Sequence, residues 1–220
     1  MKKILITGSS KGIGFALAKK LLKNNKVYGT CRNGIIDISN PNFKSFALDL
    51  TNPKSIDDFE KTIKREKINF DLIINNAGIG PDLDQELPEI ETLKSTFDVN
   101  VFGTVILTEK MLDFLNPKGK ILIISSKMGS LNICKLSNSV AYRMSKTAIN
   151  MYAKTLSNRL EGKFEVAILH PGWVKTTIAK SNINGRLTTG QSAEKIYDFL
   201  GNNFKNGIFW NVETNSECEW

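Results

Sequence analysis

Cysteine and histidine are scarce in this chain. Three cysteines in 220 residues, Cys31, Cys134 and Cys218, are odd in number and far apart, so neither a disulfide framework nor a CxxC zinc pattern is present. His170 is the only histidine and precedes a proline, which leaves no metal-ligand set and makes a Ser/His/Asp triad a poor reading. Long apolar runs are lacking too. Nothing approaches the ~18 apolar residues of a membrane span. The N-terminal MKKILITGSS runs apolar only from Ile4 to Ile6, short of the roughly 7–15 residues of a secretory signal. The expectation is a soluble cytoplasmic protein with no membrane partner.

Acidic residues are outnumbered, 22 against 30 basic ones, for a formal charge of +8. The cations are spread: Lys19, Lys20 and Lys23 share one segment, and Lys61, Lys64 and Arg65 another. No basic run is interleaved with aromatics, so solvated helix faces explain the charge and no nucleic-acid partner is expected.

What is present is alternation. KKILIT, KVYGT, FKSFAL, FDLIINN, KILIISS, FEVAIL and GIFWNV read as strands, several apolar on successive residues as in a sheet covered on both faces. Helical patterns lie between them. Ile13, Leu17 and Leu21 recur every fourth residue. Thr51 or Asn52 is placed to cap a helix from Pro53, with Ile56, Phe59 and Ile63 inward. Further helices are expected over about 91–115, 139–160 and 192–202, with the least regular stretch at about 175–189. The pattern predicts one α/β domain over residues 1–220, a doubly wound parallel sheet of about seven strands flanked by helices, of Rossmann type. No repeat or linker tract interrupts it.

The first strand runs into ILITGSSKGIGFALAKKL. Gly8 suits a tight turn, Gly12 lets backbone approach a pyrophosphate, and Gly14 lets a helix pack closely. A strand before and a helix after are the context a dinucleotide site requires, with free N–H groups at the helix start for phosphate. Ser10, Lys11 and Ile13 belong to the same turn. The second strand ends GTCRN, with Arg32 where NAD-preferring sites carry a carboxylate. Arg32, with Lys11 as a second charge, suits a 2′-phosphate, so NADP(H) is expected over NAD(H). A solvated surface arginine is the plain alternative.

In SVAYRMSKTAINMYAKTL, Tyr142 stands four residues before Lys146, on one helical face. With the glycine turn, these residues resemble the short-chain dehydrogenase/reductase family. The landmarks come in order over nearly the whole chain: TGSSKGIG at 7–14, Asp49-Leu50-Thr51, INNAG at 74–78, Asn100 in DVNVFG, Ser126 in IISSKMG, Tyr142-x-x-x-Lys146 and HPGWVKT at 170–176. CRN, YRMSK, HPGWVKT and the terminal Trp220 resemble the C-factor-like and sniffer-like carbonyl reductases within it.

A free tyrosine, with a pKa of about 10, is a poor base near neutrality. An adjacent ammonium and a cationic nicotinamide are expected to lower it, so that Tyr142 exchanges a proton with a substrate oxygen. The resemblance implies the other roles. Ser126, chosen over Ser125 by the serine-x-x-Gly pattern with Gly129, would bond the substrate oxygen. Asn100 would hold a relay water, and Lys146 would also bind the nicotinamide ribose. Asp49 and Leu50 would meet the adenine, and Asn76, Ala77 and Gly78 the adenosine ribose. Pro171, Gly172, Val174 and Thr176 would shape the nicotinamide pocket. The plain alternative for the Asn75-Asn76 pair is that it ties strands together.

The segment between Ser126 and Tyr142 is somewhat long, and Met128, Leu131, Ile133 and Cys134 are expected to line a substrate pocket. After Thr176 a short loop carries Ile178 and Ile183. Trp220 is free to pack on the body or on a partner subunit, and the resemblance implies a homodimer or homotetramer. The function implied is NADPH-dependent reduction of a small aldehyde or ketone to an alcohol. The alternative is a pyridine-nucleotide sensor or C-factor-like signalling protein with little turnover, which would not need Tyr142.

Overall fold

The computed structural model describes residues 1–220. Eight strands form one sheet: β1 (Lys3–Ile6), β2 (Lys26–Cys31), β3 (Phe43–Ala47), β4 (Phe70–Asn75), β5 (Leu115–Ile124), β6 (Glu165–His170), β7 (Ile208–Asn211) and β8 (Ser216–Glu217). Their order is β3-β2-β1-β4-β5-β6-β7-β8. The seven strands read from the sequence are all there and all parallel; β8 adds a two-residue antiparallel partner to β7. The crossovers reverse between β1 and β4, the place where a doubly wound sheet opens a crevice at its strand ends.

Successive strand residues point to opposite faces, and both faces are buried. One face carries Leu5, Ile73, Ile121, Ile123 and Ile168 against α2 (Pro53–Arg65), α4 (Thr104–Met111) and α5 (Val140–Arg159). The other carries Ile4, Ile6, Ile74, Leu122 and Leu169 against α1 (Gly12–Leu21) and α6 (Thr189–Gly201). That is why the strands read as unbroken apolar runs. Asn52, not Thr51, caps α2: its side chain accepts from the N–H groups of Lys54 and Ser55, with Ile56, Phe59 and Ile63 buried below.

The structure corrects two helix readings. The stretch expected as one helix over about 91–115 begins as α3 (Ile90–Phe97), widens into a π-helical turn over Asp98–Gly103, and resumes as α4. Gly103 there packs on the carbonyl of Leu50, where a Cβ has no room. α6 begins at Thr189 rather than near 192, because Thr188 and Gln191 form a capping box. No helix is long and apolar enough to cross a membrane.

Candidate active site

A cleft of about 1100 Å³ lies along the C-terminal ends of the strands. Its floor at one end is the turn between β1 and α1. Gly8 and Gly12 have φ of 65° and 62°, a left-handed backbone that favours glycine. A side chain at Gly8 would meet the backbone of Ala77 at 2.8 Å. At Gly12 an added Cβ would find only Thr176 Cγ2, at 4.0 Å, so this part of the turn is open to the cleft. Lys11 precedes α1 and gives it no side-chain cap, which leaves the first-turn N–H groups for an anion. This cradle fits a pyrophosphate. Gly14 does not line the cleft; it packs on the carbonyl of Gly8 and the side chain of Asn76.

Asn76 holds the turn from the other side. Its amide donates to the carbonyls of Thr7 and Gly8 at 2.9 and 3.0 Å, while the backbone N–H groups of Asn76 and Ala77 donate to Thr7 Oγ1. Asn75 donates to Thr108 Oγ1, tying β4 to α4. Ser10, Lys11, Ile13, Arg32, Asp49, Leu50, Ala77 and Gly78 all border the cleft. Arg32 and Lys11 are exposed. Asp49 accepts from the N–H and hydroxyl of Thr51. Pro171, Gly172, Val174 and Thr176 form the opposite wall, and Gly172 is left-handed at φ 88°.

Tyr142 and Ser126 meet in the cleft wall. Both line the cleft, and Ser126 Oγ accepts the N–H of Met128 at 3.1 Å. Ser125 is engaged elsewhere, donating to Asn150 at 2.6 Å. Lys146 does not border the cleft. It lies beneath Tyr142, 5% exposed, with Nζ 5.5 Å from the ring centre and 3.1 Å from the carbonyl of Ile124.

In the protein alone, burial opposes the lowering expected from the ammonium and the nicotinamide together. Burial pushes the Tyr142 phenol up to about 12; the nearby Ser126 hydroxyl pulls down, and the Asp82 charge pushes further up. The reading from the ammonium and the nicotinamide did not weigh burial, the larger effect in the protein alone. The Lys146 ammonium is itself pulled down to about 8 by burial.

Asn100 is turned away from the cleft. Its Oδ1 accepts the N–H of Ile79 at 2.8 Å, and its Nδ2 donates to the Ile79 carbonyl at 2.8 Å and Ser145 Oγ at 3.1 Å. The side-chain amide therefore ties the π-helical turn to the segment after β4 and to α5. Met128, Ile133 and Ile178 border the cleft; Leu131, Cys134 and Ile183 do not. Trp220 packs on the body. Its ring lies 5.3 Å from Phe209, and a main-chain oxygen accepts from the Ser130 hydroxyl and the N–H groups of Leu131 and Asn132.

Sequence reasoning missed Asp82. It is 1% exposed, and both carboxylate oxygens accept the backbone N–H of Tyr142, at 3.1 and 3.2 Å. No sequence spacing signals this contact, since 60 residues separate the partners. His170, at the end of β6, is also buried in this wall, with neither ring nitrogen bonded.

Comparison with known proteins places this geometry. The short chain dehydrogenase family model matches residues 2–186. An uncharacterized oxidoreductase of Schizosaccharomyces pombe is 34% identical over 187 residues, 82% of this chain, and the chain spans 63% of that relative's length. The carbonyl reductase Sniffer of Drosophila melanogaster superposes with a TM-score of 0.86 at 26% identity, covering 100% of both chains. A carbonyl reductase from chicken fatty liver, solved with NADPH bound, gives 0.86 at 25% identity over 100% of this chain and 99% of its own.

Proposed function

The chain belongs to the short-chain dehydrogenase family, and from that premise we propose that it is an NADPH-dependent reductase of small aldehydes or ketones. The observation that carries this reading is the convergence of Tyr142 and Ser126 on the wall of a cleft whose other end is the open glycine turn.

NADPH, when bound, would supply the hydride for the carbonyl carbon. Ser126 and Tyr142 hold the carbonyl oxygen and polarise it, and Tyr142 gives that oxygen its proton. Lys146, a cation beneath the ring, stabilises the phenolate left behind. Gly8, Gly12 and the first turn of α1 receive the pyrophosphate. Arg32 and Lys11 face the 2′-phosphate, Asp49 and Leu50 the adenine, and Asn76, Ala77 and Gly78 the adjoining ribose. Pro171, Gly172, Val174 and Thr176 enclose the nicotinamide. Asn100 acts as a brace that fixes Ile79. The chicken protein's bound NADPH and the missing carboxylate after β2 both support this cofactor.

Exposed Phe102, Ile106, Met144 and Met151 on the π-helical turn, α4 and α5 suit a second copy of the chain. Light scattering is expected to give a dimer or tetramer.

The test is cofactor oxidation with a panel of aldehydes, ketones and quinones, NADPH beside NADH. Turnover with NADPH supports the reading. Tight NADPH binding without turnover across the panel favours a nucleotide sensor, and binding of neither cofactor overturns both.

A further inference from the structure

The start of α5 is capped from outside the helix. Ser139, the residue before it, is left-handed at φ 59° and makes no capping bond of its own. Its Oγ accepts the N–H of Asp84 at 3.3 Å, and its own N–H donates to the carbonyl of Gln85 at 2.8 Å. The N–H of Tyr142, one of the orphan donors of the first turn, goes to the Asp82 carboxylate. The segment 80–85 thus clamps the residue that carries the phenol. Gly80 lies against the same ring: a Cβ there would come within 3.0 Å of Tyr142 Cδ2.

We propose that Asp82 is a positioning residue for the reaction at Tyr142, fixing the backbone that carries the phenol and setting a negative charge beside that backbone. This rests on the reading of Tyr142 as proton donor. A neutral asparagine would cap the helix as well as an aspartate does. An aspartate adds charge, and the buried Asp82 side chain accepts a single N–H, that of Tyr142, in the first turn of α5, at the positive end of the helix dipole.

The groups facing the phenol are few. Lys146 lies beneath it on α5, the Ser126 hydroxyl comes from the end of β5, and Asp82 from the segment after β4. Arg143 is turned onto Asn138, and Asp84 onto the N–H of Ser181. Burial and Asp82 both disfavour the phenolate, against Ser126.

The experiment compares Asp82→Asn and Asp82→Ala with the natural protein, each with and without Tyr142→Phe. Near-ultraviolet tyrosinate absorbance of the cofactor-free proteins is followed from about pH 7 to about pH 11. Subtracting each Tyr142→Phe partner isolates Tyr142. The natural protein is expected to show no Tyr142 ionisation in this range. Both Asp82 variants are expected to shift the midpoint down by about one unit, so that ionisation begins within it. With NADPH and a turned-over substrate, Asp82→Asn keeps kcat within about threefold, while Asp82→Ala loses about tenfold because the cap is gone. Asp82→Asn retains the acceptor and decides the charge effect even if Asp82→Ala fails to fold. Identical titrations in the natural protein and Asp82→Asn, or a natural midpoint near 10, overturn the proposal. Absence of turnover in the natural protein counts against the reductase reading alone, since the titration needs no substrate.

Discussion

The Lys146 ammonium is buried 5.5 Å from the centre of the Tyr142 ring and donates to a carbonyl, that of Ile124, rather than to a carboxylate. A cation in that position costs stability, and the cost is the other side of its electrostatic use. Burial pulls it from 10.5 to about 8. Below about pH 8 both folded and unfolded states hold the proton and the full penalty stands; between there and 10.5 only the unfolded state holds it, so stability rises with pH. Lys146→Met is expected to stabilise the protein by about 1–3 kcal/mol at neutral pH while removing reductase activity. Thermal unfolding beside a turnover assay checks both halves.

Arg32 is exposed beside the cleft, and the strand it follows ends without a carboxylate. Arg32→Ala is expected to weaken NADPH binding about tenfold or more, as loss of a charge-assisted contact does, and to leave NADH binding nearly unchanged. Paired titrations of the two cofactors measure it. Equal losses for both would remove the 2′-phosphate from the account.

Gly14 packs on the Gly8 carbonyl and the Asn76 side chain. Gly14→Ala forces one of them aside, and the backbone of the turn is the harder to move. A destabilisation of about 1–3 kcal/mol is expected, with weaker binding of either cofactor. Denaturant unfolding and cofactor titration report the two effects.

His170 has no hydrogen-bond partner, and burial, then the Lys127 charge, push it down to about 3. Acidification from about 6.5 toward 3 protonates it in the unfolded state only, so stability is lost across that window as pH falls. His170→Leu is expected to flatten the acid limb of a plot of Tm against pH. An unchanged limb would show that other groups govern it.

Much of the fold was legible because both sheet faces are covered, which makes strands such as Phe70–Asn75 and Glu165–His170 continuous apolar runs. The two-residue β8 carries no such signal; it exists only because Ser216 and Glu217 fall beside Asn211 and Trp210. The π-helical turn was hidden because the close approach of Gly103 to Leu50 joins residues about fifty positions apart. Tyr142, Ser126 and Lys146 were readable as a spaced pattern. Two features around them depend on tertiary contacts: the Asp82 clamp, and the commitment of the Asn100 amide to Ile79 and Ser145. The upward pull of burial on the Tyr142 phenol was not legible for the same reason, since burial is a property of the folded wall and not of the helix carrying both side chains.

The measurement that bears most directly on the central claim is single-turnover hydride transfer from NADPH by the natural protein and by Tyr142→Phe, with NADPH affinity determined for both. The account predicts unchanged affinity and a transfer rate lower by about 10²–10⁴-fold, the loss of a positioned proton donor. Equal rates in the two proteins would contradict it, because Tyr142 would then not be the acid of the reaction.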